Sequence, residues 1–229
     1  MNNAGFDLFR VDTVLFDLDG TLVDTNDLIM DSWRYTIKEL TGRDATDEEI
    51  RKTFGEILLD SMKWIMPDVD PEEALDFYRK YQREIFLDRI SLYEGVEEVL
   101  CALKNAGYKN ALVTSRLKTS TERALAHFGL NKFFDAVLTA SDTDVFKPDP
   151  APIFLMLEKL GSKPGEAILI GDTVHDIEAG RAAGVFTVLV GWSFALPPEK
   201  WETAPKPDAV IEKMPDLLAL LNLNTKEIK

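Results

Sequence analysis

Short apolar runs, each closed by a polar or turn residue, recur along the chain at Thr13–Phe16, Ala111–Thr114, Ala136–Leu138, Ala167–Ile170, Phe186–Val190 and Ala209–Ile211. Runs of this length and composition read as buried strands. Between most of them the apolar positions keep helical spacing instead. Val96, Val99, Leu100 and Leu103 precede Gly107, and Leu125 and Phe128 precede Gly129. Ile153, Phe154, Leu157 and Leu160 form a stripe closed by Gly161, and glycine after the last apolar position is a helix stop. Asp149 followed by Pro150 predicts an N-cap with proline at the first helical position. Strands alternating with helices predict an α/β protein with a parallel sheet and right-handed crossovers. The proline-bearing stretch Pro197–Pro207 reads as a loop before the last strand.

One stretch breaks the alternation. From about Asn26 to about Asp88 the pattern is helical throughout. Leu28, Ile29, Trp33, Ile37 and Leu40 make one stripe. Ile50, Phe54, Ile57, Leu58 and Ile65 make a second, and Ala74, Leu75, Phe77, Tyr78, Tyr81 and Ile85 a third. Trp33 and Trp64 are expected in the core of this region. The pattern predicts a helical cap domain over residues 25–89, inserted into a catalytic core of residues 1–24 and 90–229. Its place in the sequence puts it just after the first strand, where a lid can exclude water and choose substrates.

Composition narrows the partners. The 229 residues are 45% hydrophobic, enough for one large domain or a domain plus an insert. The formal net charge of −14 argues against nucleic acid and against anionic membrane surfaces. It leaves an anionic substrate open, because one local cation can reverse the field of a cleft. Cys101 is the single cysteine, so no internal disulfide forms, which fits a reducing cytoplasm. It is expected to be a small buried hydrophobe. The beginning of the chain lacks the pattern of a signal peptide, and no apolar run is long enough to span a bilayer.

Residues 14–24 read Val-Leu-Phe-Asp-Leu-Asp-Gly-Thr-Leu-Val-Asp. Asp17 should sit at the exit of its strand, where open parallel sheets bind ligands. Two carboxylates this close repel unless a cation or a proton intervenes. Asp17 and Asp19 therefore ask for a metal, or for one nucleophile beside one protonated acid. Three further polar signals lie at strand exits: Thr114 with Ser115, Lys147 before a capped helix, and Asp172 with Asp176 four residues on. Together they supply what phosphoryl transfer needs: a nucleophile, a cation site, a positive side chain and a neutral donor. Nearby residues read otherwise. Imidazole is a poor ligand for an oxygen-liking ion, so His175 is expected near the site and not in it. His127 stands at a helix end, where histidine is ordinary. An EF-hand does not fit, because Gly20 comes two positions early and Leu28 stands where the closing glutamate belongs.

The ordered set Asp17-Leu18-Asp19-Gly20-Thr21, Thr114, Lys147, and Gly171-Asp172 with Asp176 resembles the haloacid dehalogenase superfamily, nearest its phosphatases with a helical cap inserted after the first motif. The resemblance covers nearly the whole chain. It implies a Rossmann-like core and bound Mg²⁺. It implies Asp17 as the nucleophile that forms an aspartyl-phosphate, and Asp19 as general acid and then base, in surroundings that keep a proton on it. The Mg²⁺ would be held by Asp17, Asp172 and the main-chain carbonyl of Asp19, with Asp176 acting directly or through water. Thr114 and Lys147 would hold the phosphate, and Thr21, Ser115, Arg116 and Asn26 are candidates for substrate contact. The substrate class implied is a small phosphorylated metabolite, such as pyrophosphate or a phosphoglycolate-type monoester, acted on by a monomer or homodimer. A β-phosphoglucomutase-like mutase is the alternative. A dehalogenase and a phospho-receiver fit less well, the first because of Asp19 and Asp172, the second because of motif order.

Overall fold

The computed structural model describes residues 6–198 and 204–223. The chain begins with β1 (Thr13–Phe16) and β2 (Val23–Asp24). Four helices follow: α1 (Asn26–Thr41), α2 (Asp47–Arg51), α3 (Leu58–Ile65) and α4 (Pro71–Ile85). The remainder alternates as β3 (Ser91–Leu92), α5 (Val96–Asn105), β4 (Lys109–Val113), α6 (Lys118–His127), β5 (Ala136–Leu138), α7 (Ala151–Leu160), β6 (Ala167–Gly171), α8 (Val174–Ala183), β7 (Phe186–Val190), β8 (Ala209–Ile211) and α9 (Asp216–Leu220). Two compact units result. One is the chain up to Val23 together with the chain from Leu92 onward, and the other is Asp24–Ser91.

The first unit is built on a parallel sheet with strand order β5-β4-β1-β6-β7-β8. Counting its strands alone, the order is 3-2-1-4-5-6, the doubly wound Rossmann arrangement. All four residues of β1 are buried, as expected of a central parallel strand covered on both faces. Leu15, Ala111, Val113 and Leu169 pack under Ile153, Met156 and Leu157 of α7 and Ala179 and Ala183 of α8. On the other face the buried Asn110 donates through Nδ2 to Leu100 O of α5 at 3.5 Å and to Phe133 O at 3.4 Å.

The α/β class and the six strands expected from the apolar runs are found, with limits shifted by at most two residues. The two-residue β2 and β3 are new, and they pair into a small ribbon. Residues 199–203 of the Pro197–Pro207 segment lie outside the described residues. Helix α7 starts at Ala151, one residue later than predicted. Asp149 Oδ1 caps it from outside by accepting from Ala151 N at 2.8 Å. Its buried stripe is Ile153, Met156 and Leu157, so Phe154, placed in that stripe by the sequence, turns out 46% exposed. Cys101 is half-buried on α5 and not the enclosed hydrophobe expected.

The helical unit has its own core, in which Met30, Trp33, Ile37, Ile50, Met62 and Tyr78 enclose one another. Trp33 and Tyr78 meet at 5.2 Å between ring centroids. The second predicted stripe does not survive as one helix. The chain turns at Gly55 between α2 and α3, and Ile57 is left exposed. Trp64 is also a correction: it is 43% exposed, and its indole N–H donates to Glu56 Oε2 at 3.0 Å instead of entering the core.

Leu15→Ala should cost about 3 kcal/mol in urea denaturation, because it empties the centre of a packed sheet. Phe154→Ala should cost less than about 1 kcal/mol. Equal losses would show that the wrong face of α7 has been assigned to the core.

Candidate active site

Register brings the chemistry together. Phe16 of β1 is level with Leu112 of β4 and Ile170 of β6, so these three strands end side by side. Asp17 follows β1 and donates its main-chain N–H to Ile170 O at 2.9 Å. Thr114 follows β4, and Asp172 follows β6. The winding of the sheet reverses between β1 and β6, and such a reversal opens a crevice at the carboxyl ends of the strands.

Lys147 reaches this point from the loop before α7. Its ammonium donates to Asp17 Oδ1 at 2.7 Å, Asp176 Oδ1 at 2.5 Å and Val113 O at 2.9 Å. Those are its three donors, all satisfied. Burial alone would lower its pKa, but Asp17 and Asp176 outweigh burial and raise it. Asp176 is held twice more at its other oxygen. Thr173 N and Thr173 Oγ1 donate to Oδ2 at 3.0 and 2.7 Å, closing a capping box at the start of α8. Burial works to raise Asp176, but Lys147 and Thr173 prevail and keep it below the usual carboxylate value. Both its oxygens are thus engaged by the chain.

Asp17 and Asp172 have the opposite balance. Burial, opposed by Lys147 and reinforced by Asp176 and Asp19, pushes Asp17 up to about 7. Burial, then the charges of Asp17 and Asp176, raises Asp172. Asp172 Oδ1 is buried with no hydrogen-bond partner. An unpartnered buried anion is costly, and a cation or a proton relieves it. Among the described residues no cluster of three or more His, Cys, Asp or Glu side chains could hold a metal ion. Asp17 and Asp172, both buried and both raised in pKa, form a smaller set. It fits a hard divalent cation that keeps several waters. Gly20 adopts φ +76°, and a Cβ there would collide with the Asp172 carboxylate. A Cβ at Gly171 would likewise strike Asp176.

Asp19 is held in an ion pair with Arg116. Arg116 Nε and Nη2 donate to its two oxygens at 2.7 and 2.8 Å. Thr114 is buried, and its hydroxyl accepts from Arg116 N at 3.1 Å. Thr114, Ser115 and Lys147 line one small cavity, with Ser115 otherwise exposed. Thr21 is fully buried, and its hydroxyl has no hydrogen-bond partner. Asn26 is the first residue of α1 in the helical unit, and its main-chain N–H donates to Asp24 Oδ1 at 2.9 Å. His175 is half-buried within the first turn of α8, and His127 is exposed at the end of α6.

The sequence reading missed a fifth segment, Gly191–Leu196, at the exit of β7. Trp192 Nε1 donates to Gly20 O at 3.0 Å, and Ser193 Oγ donates to Asp172 O at 2.5 Å. One loop therefore braces both acidic turns. Its signal was a tryptophan and a hydroxyl directly after an apolar strand.

Acids and a lysine thus meet at the switch point of a doubly wound α/β core. The chain belongs to the haloacid dehalogenase-like hydrolase family, whose sequence profile matches residues 14–190. It is 38% identical to the pyrophosphatase PpaX of Bacillus velezensis over 209 residues, which cover 91% of this chain and 95% of that protein. A haloacid dehalogenase-like hydrolase from Streptococcus pneumoniae superposes with a TM-score of 0.82 at 25% identity, covering 92% of this chain and 98% of that one. A structure described as a predicted phosphoglycolate phosphatase from Haemophilus somnus gives 0.79 at 26% identity, covering 92% and 98%. Among the described residues, no helix is long and apolar enough to cross a membrane.

The raised pKa of Asp17 has a measurable sign. Between about pH 4 and about pH 7 the folded, metal-free protein holds a proton there that the unfolded chain releases. That contribution is present at low pH and lost as pH rises through 7. In EDTA, the Tm of wild type minus that of Asp17→Asn should fall between about pH 4 and pH 7 and level off above that. A difference independent of pH would contradict the assigned environment.

Proposed function

We propose that this protein is a Mg²⁺-dependent phosphatase of a small phosphate compound, either pyrophosphate or a phosphoglycolate-type monoester, working in the cytoplasm. One observation carries the reading: Lys147 joins Asp17 to Asp176 beside a buried, unpartnered oxygen of Asp172. Asp17, Asp172 and the Asp19 carbonyl would hold the ion. When bound, it neutralises phosphoryl oxygens and lowers the cost of bringing an anion to a carboxylate.

Among the described residues only Oδ1 of Asp17 is engaged, by Lys147, which leaves Oδ2 as the attacking atom. It bonds to phosphorus as the bond to the leaving oxygen breaks, giving an aspartyl-phosphate. Asp19 gives its proton to that leaving oxygen. Asp19 then takes a proton from water, whose oxygen attacks the same phosphorus and frees phosphate and Asp17. The Thr114 hydroxyl and neighbouring N–H groups hold the phosphoryl oxygens, and Lys147 offsets their charge. Asp176, with both oxygens occupied, is assigned to positioning Lys147 and not to the first ligand sphere of the ion. The sequence similarity to PpaX supports pyrophosphate, and the structural similarity to the Haemophilus somnus protein supports phosphoglycolate.

Purified protein with Mg²⁺ should release phosphate from at least one of pyrophosphate, 2-phosphoglycolate and hexose phosphates. Isomerised sugar phosphate without free phosphate would instead identify a mutase. Asp17→Asn should lower phosphate release at least about 10³-fold while its circular dichroism spectrum stays native. Retained turnover in that variant removes Asp17 as nucleophile. Asp19→Asn should still be phosphorylated by an activated aryl ester, since a good leaving group needs little protonation. Absence of the label would remove the acid role from Asp19.

A further inference from the structure

Arg116 stands two residues beyond Thr114, and its main chain is fixed on both sides. Its N–H donates to Thr114 Oγ1, and its carbonyl accepts from Ala140 N at 3.0 Å. Its side chain is 12% exposed and lies in a two-pronged pair with Asp19. In that pair both Asp19 oxygens face donors of the guanidinium. A carboxyl so held is turned toward Arg116, whereas the proposed reaction needs it turned toward the leaving oxygen. The same planar fork matches a phosphate or a second carboxylate as well as it matches Asp19. An anionic group on the departing half of a substrate would therefore compete with Asp19 for Arg116.

We propose that Arg116 is a substrate-exchanged latch and a specificity-determining residue. In the free enzyme it holds Asp19. On binding, its guanidinium passes to an anion carried by the leaving group, and Asp19 is released to act. The latch selects substrates whose leaving group bears its own negative charge: the second phosphoryl group of a diphosphate, or the carboxylate of a phosphoglycolate-type ester. A monoester with an uncharged leaving group gives Arg116 nothing to exchange for. This deepens the phosphatase reading and rests on it.

The test compares kcat/KM with Mg²⁺ for pyrophosphate, 2-phosphoglycolate and p-nitrophenyl phosphate in wild type, Arg116→Ala and Arg116→Lys. In Arg116→Ala the preference for an anionic leaving group over p-nitrophenyl phosphate should fall about 30-fold or more, the scale of a lost charge-assisted pair. Arg116→Lys, which keeps the charge and loses the fork, should restore part of that ratio and serves alone if the alanine variant does not fold. Whichever of pyrophosphate and 2-phosphoglycolate loses more identifies the anion that is exchanged. An equal loss on all three substrates overturns the latch and leaves the phosphatase reading standing. Wild type that releases phosphate from none of the three overturns both.

Discussion

A buried ammonium must find acceptors and countercharge, or it gives up its proton or leaves the interior. Lys147 finds them on three separate stretches of chain: Asp17 after β1, Val113 at the end of β4, and Asp176 on α8. Much of the local architecture follows. Asp176 must reach inward, so Thr173 caps α8 through the same carboxylate. Gly171 must carry no side chain, because Asp176 occupies that space. The ammonium still faces more negative charge than it can offset. Asp17, Asp172 and Asp176 are three buried acids around one lysine. Burial and the neighbouring acids raise Asp17 and Asp172, while Lys147 and Thr173 keep Asp176 low.

The parallel sheet was legible because strands buried on both faces have no option but to be apolar throughout. The strand exits were legible for a related reason: a charged residue directly after such a run has only one place to go. Asp17, Thr114 and Asp172 were found this way, and Lys147 by its loop before a capped helix. Helix faces were harder to read. Phe154 and Trp64 satisfy helical spacing, yet the rotation of α7 and the turn at Gly55 decide what is covered. Apolar spacing marks a helix without saying which flank meets the core. Asn26, a candidate for substrate contact at the entry to the helical stretch, is the opening residue of α1.

Contacts between distant segments were the least legible part. The Arg116–Asp19 pair joins residues 97 positions apart, and Trp192 reaches Gly20 across 172. No local pattern encodes either, because both depend on β4 and β7 flanking the centre of the sheet at matching heights. The brace from Gly191–Leu196 is a consequence of sheet order. β6 lies between β7 and β1, so the exits of all three are close neighbours. Ser193 accordingly engages Asp172, and Trp192 extends to the turn after Asp19.

The ribbon of β2 and β3 gives the polypeptide a second property. Outgoing and returning chain are paired there, and paired strands run only about 5 Å apart. The sixty-eight residues Asp24–Ser91 thus leave and rejoin the rest of the chain through two paired strands. A different set of helices could be spliced in at this one junction without stretching β1 or shifting its register.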